Sequence, residues 1–155
     1  MLFERLKAAT PASWQAYTEH PFVAGLGDGT LPEAAFRHYL VQDYLFLMHF
    51  ARAYALAVYK GTSLADMRAA AAGLSAILDV EMDLHVTISA GWGLSPADLE
   101  TAPEARATMA YTRYVLETGL RGGRHAVRFL PGKPGPGVPQ RRARHEGDGM
   151  QRGQA

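Results

Sequence analysis

Residues 20–60, HPFVAGLGDGTLPEAAFRHYLVQDYLFLMHFARAYALAVYK, decide the fold. From Pro32 to about Lys60 nothing interrupts a helical pattern, and at 1.5 Å per residue this predicts a helix about 40 Å long. A helix of that length is the spine of a domain. Thr30-Leu31-Pro32-Glu33 marks its start: Thr30 offers a cap, Pro32 suits the first turn, and Glu33 completes a capping box. The segment before it reads as a loop, because Gly25, Gly27 and Gly29 supply backbone conformations that residues with a β-carbon resist.

Outward from the spine the pattern stays helical. Residues 2 to 18 place Leu2, Leu6, Ala9, Trp14 and Tyr17 at mostly helical intervals, with a restart or kink at Pro11. Ser63 with Asp66 caps another helix, which runs through MRAAAAGLSAILDVEMDLHVTISA until Gly91 and Gly93 stop it. Its small residues from Ala69 to Gly73 permit close helix approach. Ser95-Pro96-Ala97-Asp98 begins a short turn. Pro103-Glu104 begins a last amphipathic helix, in which Ala107, Ala110, Tyr111, Tyr114, Val115 and Thr118 share a face. No strand pattern interrupts this region, so the prediction is an all-α bundle.

After Gly123 the character changes to RHAVRFLPGKPGPGVPQRRARHEGDGMQRGQA, where Gly, Pro and Arg dominate and periodicity disappears. Residues 1–123 therefore read as one helical domain and residues 124–155 as a disordered tail. Charge divides at the same place. Residues 1–123 hold 9 Lys/Arg against 13 Asp/Glu, a balance of −4, and residues 124–155 hold 7 against 2, a balance of +5. A basic nucleic-acid arm is one reading of the tail, but it has no aromatics beyond Phe129 to interleave with its charges. The more economical reading is a GC-rich gene translated out of frame from about codon 123.

The 155 residues, 48% apolar, suffice for one core. They include no cysteine, which excludes disulfides, thiolate catalysis and zinc–thiolate sites within them. The N-terminus has charges among its apolar residues and no cleavage pattern, and no run is long and apolar enough to span a bilayer. A soluble cytoplasmic protein is the expectation.

Asp43 is the most informative residue. Tyr39, Leu40, Phe46, Leu47 and Phe50 lie three, four or seven positions from it, so a carboxylate projects from a largely aromatic face. It needs a partner there: a neighbouring Tyr, Arg or helix N-terminus, or else a ligand. Glu81 and His85 stand four apart on one helical face. They read as a buried hydrogen-bonded pair, with a metal site as the alternative, but the remaining histidines are scattered and supply no convergent ligands.

HPFVAGLGDGTLP, a following Phe and Tyr, QDYLFLMHFARAYALA, then EMDLH at 81–85 and AYTRY at 110–114, together resemble the TenA/thiaminase II family over residues 1 to about 121. The resemblance implies a haem-oxygenase-like all-α fold, a homotetramer, and no haem or metal cofactor. It implies hydrolysis of 4-amino-5-aminomethyl-2-methylpyrimidine, or cleavage of thiamin, in thiamin salvage. Residue by residue, it makes Asp43 the carboxylate that grips the ring nitrogen and amino edge, Phe46 an aromatic wall, and Tyr111 a polar wall of the substrate pocket. Tyr44 and Tyr114 read as packing residues.

The same resemblance implies a nucleophilic cysteine in the helix after Tyr111 and an acidic glutamate near the C-terminus. This sequence has neither at the matching places: Arg124 to Gln140 replaces the cysteine motif. The chain as written therefore reads as an inactive front half, in which Leu40, Leu47 and Tyr111 would await cover from further helices. The family also implies two alternatives, a metal-dependent oxygenase of the same fold and a non-enzymatic regulatory protein. The negative balance of residues 1–123 argues against DNA contact in the second. Translating the other frames beyond codon 123 is expected to recover an apolar helical pattern; finding none in either frame would refute the out-of-frame reading.

Overall fold

A computed structural model describes residues 2–122. The predicted tail, 124–155, lies outside the described residues. Among them the chain is all helix: α1 (Leu2–Ala9), α2 (Pro11–Thr18), α3 (Pro21–Asp28), α4 (Glu33–Lys60), α5 (Leu64–Ala76), a π-helical turn (Ile77–Glu81), α6 (Met82–Ala90), α7 (Pro96–Thr101) and α8 (Arg106–Arg121). No helix of the described residues is long and apolar enough to cross a membrane.

The expected spine is α4, and α5, α6, α7 and α8 all pack on it. Its buried residues are Leu40, Tyr44, Leu45, Leu47, Ala51, Ala53, Tyr54 and Ala57. They point in several directions, so one neighbour cannot cover them. Leu47, Ala51 and Tyr54 join Ile77 in a core cluster, against which Phe46, Phe50, Leu74 and Met82 pack. The small-residue run of α5 makes the close approach foreseen for it. A β-carbon at Gly73 would lie 2.3 Å from Cε1 of the buried Tyr54 ring.

Residues 21–28 form a helix rather than the expected loop. His20 caps it, its Nδ1 accepting from the Phe22 N–H at 3.1 Å, and Pro21 occupies the first turn. Of its three glycines only Gly29, at φ 77°, uses the left-handed region, and it ends the helix. That turn brings Thr30 back onto Asp28, whose Oδ1 accepts from the Thr30 N–H at 3.0 Å and hydroxyl at 2.6 Å. These two bonds lower the Asp28 pKa. Thr30 is thereby used up, so the expected Thr30–Glu33 capping box does not form and α4 starts at Glu33, after Pro32, with no side-chain cap. The two caps placed further along fare differently. Ser63 accepts from the Asp66 N–H at 3.0 Å, and Ser95 with Asp98 makes a reciprocal capping box that turns the expected short turn into α7.

The helix from Ser63 to Gly91 is not uniform. At residues 77–81 it widens into a π turn. One extra residue rotates everything after it by about 100° relative to an unbroken α-helix. This sets the direction in which α6 presents its side chains.

The last helix packs through a different face from the one expected. Thr112 is its buried residue. Ala107, Ala110, Tyr111, Tyr114 and Thr118 are exposed, Tyr114 at 70%, so Tyr114 is not a packing residue among the described residues. Tyr44 is one, at 4% exposure. Leu40 and Leu47, expected to await cover, are buried by these helices already, whereas Tyr111 is 55% exposed.

Polar side chains of α4 and its neighbours lock α8 in place. Gln42 Oε1 accepts from the Ala105 N–H at 2.7 Å and the Thr108 hydroxyl at 3.0 Å, and its Nε2 donates to the Pro103 carbonyl at 3.0 Å. A side chain of α4 thus caps a helix that has no cap of its own. At the other end Lys60 Nζ donates to the carbonyls of Gly119, Leu120 and Gly122 at 2.5, 2.7 and 2.7 Å. Between them Glu104 bonds His49 at 2.8 Å and Arg113 at 2.6 Å, while Arg52 reaches His49 Nδ1 at 2.9 Å. Burial pushes the Glu104 carboxyl up, but the hydrogen bonds and charges of Arg113 and His49 together outweigh it and hold the group below its ordinary value.

Two consequences are measurable. Gly73→Ala is expected to lose about 1–3 kcal/mol in chemical denaturation, the clash with Tyr54 exceeding the roughly 1 kcal/mol gain in helix propensity; a stabilised variant would refute the close approach. A lowered Glu104 pKa stabilises the fold above the ordinary glutamate range near roughly 4.3, and the contribution disappears as pH falls through the lowered value. Thermal melts between about pH 6 and 3 should therefore fall less steeply for Glu104→Gln than for the wild type.

Candidate functional site

The candidate residues sit on one stripe of α4. Phe36, Tyr39, Asp43, Phe46 and Phe50 follow at steps of three and four, so their side chains line up along the helix. Aromatic contacts fill both ends of the stripe. On one side Phe36 meets Trp92 edge-on at 5.9 Å, and Tyr39 meets Phe22 at 5.1 Å. On the other, Phe46 stacks on Phe50 at 5.1 Å and meets Tyr111 of α8 at 5.8 Å. Asp43 lies between these two groups. The structure therefore brings all three sequence-predicted site residues together: Phe46 one turn from Asp43, and Tyr111 against Phe46.

The partner that Asp43 requires is a pair. Tyr39, one turn earlier, donates its hydroxyl to Oδ2 at 3.2 Å, and His85 of α6 places Nε2 3.0 Å from the same oxygen. Burial is the larger cause of the raised Tyr39 pKa, and the Asp43 charge and hydrogen bond add to it. Tyr39 therefore remains a phenol, and a donor, at neutral pH.

Glu81 and His85 were expected to form a side-chain pair; they do not. The imidazole is buried, and its Nδ1 bonds the backbone carbonyl of Glu81 at 2.7 Å. The Glu81 side chain is exposed. The imidazole nitrogens are taken by the Glu81 backbone carbonyl and by Asp43 of α4, which leaves none for the Glu81 carboxylate. Both imidazole nitrogens are engaged, and among the described residues no group of three or more His, Cys, Asp or Glu could hold a metal ion. Tyr39 and His85 were absent from the predicted site. Tyr39 was visible one turn from Asp43; the His85 contact spans 42 residues and has no local signature.

The aromatic wall is closed against its own helix pair. Phe46, His49, Phe50, Tyr111, Thr112 and Val115 pack with no water-sized space between them. A groove of about 280 Å³ beside α4 is lined by Arg37, His38, Val41 and Gln42 with Leu94, Ala102 and Pro103, and takes in none of Asp43, Phe46 or Tyr111. Asp43, with its side chain 26% exposed, instead faces out of the packed helices at the middle of the stripe.

Residues 7–129 match the TENA/THI-4/PQQC family. An aminopyrimidine aminohydrolase of Halalkalibacterium halodurans is 43% identical over 109 residues, which cover 70% of this chain and 49% of that protein. An aminopyrimidine aminohydrolase of Helicobacter pylori is 38% identical over 70% of this chain and 50% of its own length. The crystal structure of a TenA family transcription regulator from Silicibacter sp. TM1040 superposes with a TM-score of 0.77 at 44% identity, covering 82% of this chain and 56% of that one. The chain thus spans about half the length of the curated relatives it matches. With the expected all-α bundle observed and the match extending over most of its length, the chain belongs to the TENA/THI-4/PQQC family.

Proposed function

We propose that this chain carries the ring-binding part of a TenA-type aminopyrimidine site of thiamin salvage, with Asp43 as anchor and Phe46 and Tyr111 as walls. One observation carries the reading: a carboxylate held by Tyr39 and His85 at the centre of an aromatic stripe. A flat ring bearing an amine suits it, because the aromatic faces accept the ring plane and a carboxylate accepts from the amine. The relatives named aminopyrimidine aminohydrolase support the substrate class.

The corresponding reaction would be hydrolysis of 4-amino-5-aminomethyl-2-methylpyrimidine to its hydroxymethyl counterpart, or cleavage of thiamin. Water must replace an amine at an unreactive carbon, which calls for a nucleophile and an acid to protonate the departing amine. The family's thiolate has no source within these 155 residues, which contain no cysteine. We assign this chain the binding step and no turnover. Self-association, as in the family's homotetramer, belongs to the same proposal, with the exposed Tyr111, Tyr114 and Met109 of α8 available for it.

The test is direct. 4-Amino-5-hydroxymethyl-2-methylpyrimidine is expected to raise the melting temperature of the wild type, and Asp43→Asn to weaken its binding at least roughly tenfold. No stabilisation of the wild type would refute the binding role. Ammonia released from the aminomethyl compound above the rate of a protein-free control would refute the assignment of no turnover.

A further inference from the structure

We infer that His85 is a positioning residue: it pins one oxygen of Asp43 with a second ring proton, so that Asp43 meets a ligand through Oδ1 alone and selects rings that offer a hydrogen-bond donor. The inference rests on the ring-binding reading of Asp43.

The ring protons of His85 can be counted from its two contacts. A carbonyl can only accept, so the 2.7 Å contact between Nδ1 and the Glu81 carbonyl places a proton on Nδ1. A neutral imidazole carries one ring proton, and with that proton on Nδ1 its Nε2 would turn a lone pair toward Oδ2 at 3.0 Å. Oδ2 already accepts from Tyr39. Two acceptors facing each other at that distance repel, so the contact holds a further proton. A proton on Nε2 beside the one on Nδ1 satisfies both contacts. The result is an imidazolium–carboxylate pair across α4 and α6. No Lys or Arg among the described residues bonds Asp43, so the imidazolium is its counter-charge. The ionisable groups that act on Tyr39, which shares Oδ2 with His85, are Asp43 itself, Glu81 of the π turn and Tyr17 of α2, and none supplies positive charge.

The second step concerns which oxygen is left. The other polar side chains by which α4 grips its neighbours leave no bonding atom unused: Gln42 bonds through both Oε1 and Nε2, His49 through both ring nitrogens, and Lys60 through Nζ to three carbonyls. Asp43 is different. Its Oδ2 takes two hydrogen bonds, and its Oδ1 takes none from the described residues. A ring therefore meets a single anionic acceptor whose direction is fixed by His85 and Tyr39. An exocyclic amine can donate to it; a bare ring nitrogen, itself an acceptor, cannot. Selectivity then lies in the amine more than in ring shape.

The pair is tested in the full chain by calorimetry and by nitrogen NMR. The probes are 4-amino-5-hydroxymethyl-2-methylpyrimidine and its 2,4-dimethyl analogue, in which a methyl group replaces the amine. The analogue is expected to bind at least roughly tenfold more weakly, since Oδ1 loses its donor without regaining water. His85→Gln keeps an N–H donor for Oδ2 and should bind the amine within about threefold of the wild type, while His85→Leu should lose at least roughly tenfold. Equal loss in both variants, or none in His85→Leu, would overturn the positioning role. Imidazole nitrogen shifts of the ligand-free wild type at pH 7 need no variant to fold: both ring nitrogens of His85 protonated supports the inference, and one unprotonated nitrogen overturns it. Failure of the wild type to bind the amine, with His85 doubly protonated, refutes the ring-binding reading alone and leaves the proton count standing.

Discussion

A long helix that is apolar on more than one side must be covered from several directions, and that constraint organises this molecule. α4 buries Leu40, Tyr44, Leu45, Leu47, Ala51, Ala53, Tyr54 and Ala57 beneath α5, α6, α7 and α8. Each large side chain among them contributes on the order of 1.5–3 kcal/mol by leaving water, more than an exposed ion pair between helices does. The alanines and Gly73 set how near the cover comes. Where the cover closes, the polar residues of α4 lose water and must find partners on other helices. Gln42, Asp43, His49 and Lys60 each do so, and each becomes a tie between the spine and a neighbour.

The candidate site follows from the same constraint. Asp43 is one of these ties, and it differs from the rest in keeping an oxygen free while a quarter of its side chain still reaches solvent. The aromatic rings on either side do two jobs. Phe46 and Phe50 pack against the core, and Phe46 also meets Tyr111 of α8, one turn along the helix from Asp43. Structural cover and the candidate site therefore share one stripe of one helix. The π turn couples them: it rotates α6 so that His85 reaches α4, and it leaves the Glu81 carbonyl where Nδ1 can use it.

The spine, the Ser63 and Ser95 caps and the close approach at Gly73 were legible because each depends on residues within a turn or two of one another, or on side-chain size alone. The misreadings share a cause. Glycines at 25 and 27 suggested a loop, yet His20 capping, Pro21 and a left-handed Gly29 delimit a helix in which they are tolerated. Thr30 has the chemistry of a cap but spends it on Asp28. In α8 the alanines and tyrosines form one apolar-looking face, while Gln42 and Lys60 seize the two ends of the helix and turn its Thr112 face inward instead.

By itself the sequence determined the helical class, the position of the spine, and the placing of Asp43 with Phe46 on one face of it, because helical periodicity fixes neighbours at three and four residues. Its motifs also determined the family. The tertiary structure decided what Asp43 is bonded to and which of its oxygens remains. His85 lies 42 residues away, and its direction depends on a π turn that no local pattern announces. Buried polar groups are satisfied by whichever partners the packing delivers, so that pairing is a property of how the helices meet and could not be read from any one of them.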